Sequence, residues 1–381
     1  MLGKTNITTL SEGAIITEVE DFKWVQMQSG TYGNFVKAIY KNGYLVAITA
    51  DGTVAYTTDG EVWQTSVPEY TDCKLNDIEW DGSRFILAGS FFTNNRLNGL
   101  ILATSDFSSY EMIKNDNEID SFWALYPQNG KYLVLGSAET DMKCFVGSLG
   151  DNGWEKIVAV CTWYRSDCPQ TVVVGKNTNG MLVTLMSSRN ESSAVYNTHF
   201  IYKIANEGNL LRVKSVGASS ANRNVSVFEC KDTLFYISLQ STDDYRFAKV
   251  LSSGEEMLMS SGINYMFVDG VYFNGCELFI NNHEMLVVKK GESIADKTLD
   301  DLIEIAPELT MNCITKAFGQ LFIFGNQGAI LKSSVETNNE EAITVQTISA
   351  KKALADAKKY TDEKYVALEA RIAALEGAST E

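Results

Sequence analysis

Two groups of side chains in this chain have the types and spacing to bind a ligand. Trp163-Tyr164-Arg165, inside the polar stretch 161–169, offers two flat rings and a guanidinium. That set suits stacking on a sugar or anchoring a protein partner. Phe91, Phe92, Asn95 and Arg96, in the stretch 90–99, form a second group of the same kind. For both, the alternative is that the rings pack beneath their own loops. Little points to catalysis. His199 and His283 have no nucleophile-elbow sequence around them. Seven dispersed cysteines without a CxxC pair, beside only 2 histidines, supply no zinc set. They read as buried thiols of a protein made in a reducing cytoplasm, with Cys161 and Cys168, which bracket one loop, the pair to test for a disulfide. No catalytic residue, metal or cofactor is expected.

The elements that must hold these groups follow one template, Phe35 to Trp63 (FVKAIYKNGYLVAITADGTVAYTTDGEVW). Asn42-Gly43, Asp51-Gly52 and Asp59-Gly60 supply the positive φ values of tight hairpin turns, so short apolar segments alternate with chain reversals. The segment around Leu45 recurs around Ile86, Leu133, Leu182, Leu234, Leu278 and Leu321, at intervals of 41, 47, 49, 52, 44 and 43 residues. Periods in the forties built from four short strands predict a β-propeller. Seven copies predict seven blades. Trp24-Val25-Gln26 parallels Trp63-Gln64, and the last copy supplies only three strands. The expectation is therefore a ring closed by an N-terminal strand, which leaves no free sheet edge.

Composition supports a large folded domain. Apolar residues make up 45% and aromatic residues 11%, enough for a core, while the 4 prolines are few and the 28 glycines are spread through turns. A formal net charge of −16 argues against nucleic acid or an anionic membrane surface as partner. No apolar run reaches the length of a transmembrane helix, and the first residues lack a signal-peptide pattern, so neither membrane insertion nor secretion is expected.

The end of the template, Thr57-x-Asp59-Gly60-x-x-Trp63, resembles a shortened Asp-box, the turn motif of sialidase-like propellers. Looser relatives are Thr104-Ser105-Asp106 with Tyr110, and Ser148 to Trp154. In that family the motif is structural: the resemblance implies an Asp that accepts turn N–H groups and a Trp packed between blades. A sialidase would also need an arginine triad, a Tyr nucleophile with a Glu base, and an acid. The family's Arg-Ile-Pro motif is absent before the first copy, so a sialidase-like glycoside hydrolase ranks last among the readings.

Strand alternation places the a–b and c–d turns on one face of the ring, counting strands a to d outward from the axis. The b–c loops and d–a crossovers fall on the other. The long insertions 90–99, 161–169, 187–194, 239–245 and 291–310, the last with a short helix near 294–304, are expected on that second face, where function gathers on a rigid scaffold.

Beyond residue 339 the composition changes. Residues 347–377 lack Pro, and Leu354, Leu368 and Leu375 with Tyr365 and Ile372 fall on the seam of a heptad pattern. The segment resembles the helices of phage tail-fibre and other virion-appendage proteins, which implies homo-oligomerisation, a trimer ahead of a dimer. The expected organisation is an N-terminal arm (1–20), a seven-bladed propeller (21–335), a linker (336–346), a coiled-coil helix (347–377) and a tail (378–381). The expected function is a phage virion protein, made in the host cytoplasm, whose propeller binds a host-surface glycan or protein without cleaving it while its helix meets other virion proteins. A purely architectural head or tail decoration is the alternative.

Overall fold

In a computed structural model the protein is an all-β β-propeller. The structure describes residues 22–333, apart from 117–118, 129–130, 139–142, 151–152, 163–172, 179, 192–193, 206–209, 217–224, 242–243, 254–255 and 264–265. The strands sort into seven four-stranded antiparallel sheets. Sheets 1 to 6 take their strands in chain order from residues 35–66, 74–116, 121–162, 173–216, 225–263 and 269–304. Sheet 7 takes Met311–Ala317, Gln320–Gly325 and Ala329–Ser333, and its outermost strand is Trp24–Gln28. Trp24 stands opposite Ser333 in that pairing.

Sheets 1 and 7 each pack against a neighbour on both sides, so both of their faces are dry. That is why the second strands read as unbroken apolar runs instead of an alternation: Tyr44–Thr49 is buried from Leu45 onward, and Gln320–Gly325 is buried throughout. The turns that follow the inner strands need left-handed backbone. Asn42 and Gly43 supply it with φ of 51° and 78°. Phe318 and Gly319 do the same with 52° and 75°. A Phe in that region carries strain, which is offset by packing against Tyr40 at 4.8 Å and Phe322 at 6.3 Å between ring centroids.

The inner strands stitch neighbouring sheets together. Asn76 and Asn312 each form a bulge, and a bulged residue re-aims its side chain. Both amides then donate to the next sheet's backbone, Asn76 to Phe122 O and Asn312 to Phe35 O, each at 2.9 Å. Aromatic rings fill the spaces between sheets. Phe35 meets Phe324 at 5.4 Å across sheets 1 and 7, and Phe228 meets Phe279 at 5.9 Å across sheets 5 and 6.

Two expectations about the architecture are corrected. The propeller is not a ring of seven equivalent blades ending in a coiled coil. Inner strands abut at six junctions, and among the described residues the junction of Ser121–Gln128 with Val173–Asn177, between sheets 3 and 4, shows no comparable packing. There Lys176 reaches past sheet 3 to Asp77 and Glu79 of sheet 2. Nor does any α-helix occur among the described residues, where the helical turns are three short 3-10 pieces. The residues expected to form the coiled coil, Leu354, Tyr365, Leu368, Ile372 and Leu375, lie outside the described residues.

The expected loop face is also redrawn. Stretch 90–99 is no loop but the end of a hairpin, Phe85–Thr93 with Arg96–Thr104, turned by Asn94 and Asn95 at φ of 52° and 61°. Stretch 187–194 likewise belongs to the paired strands Gly180–Glu191 and Ala194–Ala205. Stretch 90–99 pairs as strands because its backbone groups find ladder partners on either side of the Asn94-Asn95 turn and its Phe91 ring finds the core. The helix expected near 294–304 is two 3-10 turns, Ile294–Asp296 and Leu299–Asp301, and a strand, Leu302–Glu304. This connection joins the third and fourth strands of sheet 6, so it emerges on the a–b face.

Candidate functional site

Two places in the fold gather polar chemistry: the axis and the b–c face. At the axis, six charged residues of the inner strands converge. They are Lys37, Asp77, Glu79, Lys176, Glu229 and Asp269, from sheets 1, 2, 4, 5 and 6. Lys176 pairs with Asp77 and lies 2.7 Å from Glu79 Oε1. Such a bond between non-adjacent sheets can only cross the middle of the ring. Asp77 also accepts the N–H of Leu125 at 2.7 Å, and Asp269 that of Ile314 at 2.9 Å, so each carboxylate fastens the next sheet.

Burial alone pulls the Lys37 ammonium down, yet Asp77, Glu79 and Asp269 together hold it above the usual lysine value. Burial pushes Asp269 up to about 6, against the opposing effects of Lys37 and of the Ile314 and Gly270 N–H groups. Burial also raises Glu229 and the thiol of Cys313. A thiol raised in this way stays protonated and is a poor nucleophile. Among the described residues, no three His, Cys, Asp or Glu side chains are placed to hold a metal ion. The axis is a brace: its carboxylates are engaged by lysines and by backbone N–H groups, those of the next sheet for Asp77 and Asp269 and that of Asp232 in its own turn for Glu229.

None of these six residues belongs to the groups singled out from sequence. Four of them, Lys37, Asp77, Glu79 and Asp269, had a signal, a charged residue inside a strand two to five positions before an Asn-Gly-type turn, as in Lys37-Ala-Ile-Tyr-Lys-Asn-Gly and Asp77-Ile-Glu79-Trp-Asp-Gly. In a strand buried on both sides, a charge must be paired or lie on the axis.

The b–c face carries the residues that were expected to bind. Phe91 is buried, packing edge-on against Tyr70 at 5.6 Å, so it is core and not a ligand contact. Phe92 beside it is partly exposed, with its N–H donating to Thr71 O at 3.0 Å. Asn95 forms the turn, and Arg96 reaches Asp120 at 3.5 Å. These four therefore separate into one buried ring, one open ring, one turn residue and one ion-paired cation. Trp163, Tyr164, Arg165 and Cys168 lie outside the described residues.

The Asp-box residues sit at the turn between the last two strands of sheet 1. Asp59 Oδ1 accepts from Glu61 N at 2.8 Å and Val62 N at 2.9 Å, while Thr57 Oγ1 accepts from Gly60 N at 3.0 Å. These bonds hold the Asp59 carboxyl below its ordinary range. Gly60 has φ of 76° and its Cβ position is occupied by Phe318 and Phe322 at 3.0 Å, so no larger residue fits. Trp63 inserts toward sheet 7, 5.8 Å from Phe324 and 6.4 Å from Phe322.

No family model matches the sequence, and no curated protein does. Solved structures do match. The chain is similar to virginiamycin B lyase from Staphylococcus aureus, with 9% identity, a TM-score of 0.56, and coverage of 83% of this chain and 100% of that one. A streptogramin B lyase structure matches with 12% identity and a TM-score of 0.53 over 82% of this chain and 97% of the other. The Pan2 WD40 domain from Neurospora crassa matches with 9% identity and a TM-score of 0.53, over 83% and 96%. Enzymes thus stand among the proteins sharing this fold. At such identities the likeness shows the β-propeller and nothing finer.

Proposed function

We propose that the chain is a non-enzymatic adhesion protein of a phage particle, presenting its b–c face to a host-surface glycan or protein. One observation carries the reading: the two ends of the propeller leave on the face opposite the projecting hairpins. Trp24 and Ser333 are paired neighbours at the a–b end of sheet 7, where the Phe318-Gly319 turn also lies. Toward the other face the second and third strands of sheet 2 run 9 residues each and those of sheet 4 run 12 each, against 4 to 7 in the first three strands of sheet 1. At about 3.3 Å per residue these longer strands span roughly 30 to 40 Å, against roughly 13 to 23 Å in sheet 1. A protein held by its ends and offering its far side suits attachment. The phage setting rests on the resemblance of the segment 347–377 to virion-appendage helices. A braced axis without a poised nucleophile supports binding over turnover.

The test is attachment of the full chain, fluorescently labelled, to intact cells of the bacterium the phage infects. Substituting Phe92 and Arg96 together with Ala is expected to weaken attachment. Replacing Leu299, exposed on the a–b face, with Ala is expected to leave it unchanged. Equal losses from both, or no attachment by the parent chain, would reject the reading. The elaborate connection 289–301 on the a–b face would then favour an architectural decoration that packs against neighbours through that side.

A further inference from the structure

The segment joining sheet 7 to sheet 1 displays a tyrosine that folding does not use. Tyr32 is 92% exposed, the most open large hydrophobic side chain of the described residues. Its loop is nonetheless fixed on both flanks. Ser29 Oγ donates to Thr31 O at 3.1 Å, and Thr31 Oγ1 accepts from Gly33 N at 3.1 Å. Gly33 O accepts from Gly328 N at 2.8 Å, and Asn34 O accepts from Ala50 N at 3.0 Å. Gly328, at φ of 72°, lies so close to Thr31 O that a Cβ there would sit 1.9 Å from it. An aromatic ring is thus held out in solvent on a fixed backbone, so the ordering cost of the loop is settled before any ligand arrives.

Three exposed polar residues, Asn34, Asp51 and Gln327, flank the loop that carries this ring. Asp51 lies against Gly33, whose missing Cβ would stand 2.6 Å from Asp51 Oδ1. Thr49 Oγ1 donates to that same oxygen, leaving Oδ2 for a ligand. Asn34 Oδ1 accepts from the backbone N–H of Gln327 at 3.0 Å, so these two exposed amide residues sit side by side. Together they present a flat apolar face, a carboxylate acceptor and two amides. That is the complement of a pyranose ring, which has an apolar face of C–H groups and a rim of hydroxyls that both donate and accept.

We propose that Tyr32, Asn34, Asp51 and Gln327 form a binding site for a neutral pyranoside, with the sugar face stacked on Tyr32 and adjacent hydroxyls donating to Asp51. The Asp51 carboxylate and the chain's formal charge of −16 disfavour acidic sugars. This site uses neither Phe92 nor Arg96, and it deepens the adhesion reading, on which its biological use rests.

Ligand-observed saturation-transfer NMR on the full chain tests it, with the methyl glycosides of glucose, galactose, mannose and N-acetylglucosamine as neutral probes and that of N-acetylneuraminic acid as the acidic one. At least one neutral probe is expected to bind and the acidic one not. Tyr32→Ala should weaken binding by about tenfold or more, a loss of about 1.4 kcal/mol. The melting temperature should not move, because Tyr32 packs on nothing. Tyr32→Phe should keep most of the binding and Asp51→Asn should reduce it. Binding of no neutral probe, binding that survives Tyr32→Ala, or equal binding of the acidic probe overturns the inference. Cell attachment without glycoside binding would sink this site and spare the adhesion reading; glycoside binding without attachment would do the reverse.

Discussion

The junction of sheets 7 and 1 and the junction of sheets 3 and 4 join equivalent strands by different forces. At the first, Phe35, Phe324, Ile330 and Trp63 share one apolar cluster, and Asn312, Gln327 and Gly328 add hydrogen bonds across the seam. At the second, Tyr126 accepts the N–H of Gly180, and Lys176 spans to sheet 2. The first is held by close packing, which ignores salt. The second leans on charge. A propeller can therefore close its circle unevenly, with packing where the chain ends meet and an ionic strut where the inner strands stand apart.

Removing packing from the first seam should have the largest effect. Phe324→Ala is expected to cost about 3–5 kcal/mol in urea unfolding, because it empties a site that touches Phe35 and Trp63 at once. A cost below 1 kcal/mol would show that the seam relaxes. Lys176→Met should come next, at about 2–3 kcal/mol, since it strands Asp77 and Glu79 with less opposing charge. The two variants should also part in salt. Raising ionic strength should narrow the deficit of Lys176→Met by screening the stranded carboxylates, and leave that of Phe324→Ala untouched. Identical salt responses would erase the distinction between the two junctions.

Asp269 sharpens the same contrast through pH. Its folded pKa, about 6, stands above the ordinary 3.8, so the folded chain holds this proton more tightly than the unfolded chain does. Its contribution must then rise as pH falls through 6 and be complete below about 4. Asp269→Asn removes the titration while keeping an oxygen for Ile314 N–H. The variant should match the parent near pH 4 and exceed it above pH 6, by about 1–2 kcal/mol after allowing for the solvent that reaches this half-buried carboxyl. A difference that stays flat from pH 4 to 7 would contradict the assignment. Asp59→Ala should show the smallest loss, about 1 kcal/mol, as turn N–H groups at the rim pass from carboxylate to water. Thermal unfolding can read it.

The packed junction was far more legible in the sequence than the charged one. Asn42-Gly43 and Asn274-Gly275 announce their turns because few other pairs tolerate that backbone, and buried runs such as Leu321-Phe322-Ile323-Phe324 announce strands covered on both sides. The Lys231-Asp232 turn, at φ of 51° and 58°, carried no such signal, because its cost is met by bonds formed only in the fold, such as Asp232 N to Glu229. Lys176 was silent for a related reason. Its partners lie 99 and 97 residues away, and no local pattern links charges that meet only across an axis. Stretches 90–99 and 187–194 looked like loops because both are rich in polar residues, while the pairing that makes them strands is a property of the backbone. The Phe91–Phe92 pair split into one buried and one open ring because neighbouring strand residues face opposite sides.

The place where the chain leaves the ring has a mechanical meaning. Ala329–Ser333, the strand that runs out toward residue 334, is not at the edge of its sheet. It lies between Gln320–Gly325 and Trp24–Gln28, laddered to both. An edge strand pulled by its end can be peeled away one bond at a time. A strand flanked on both sides and pulled along its own length loads two ladders in shear, and their bonds must give way together. Tension on the tether would thus meet the strongest grip the sheet has.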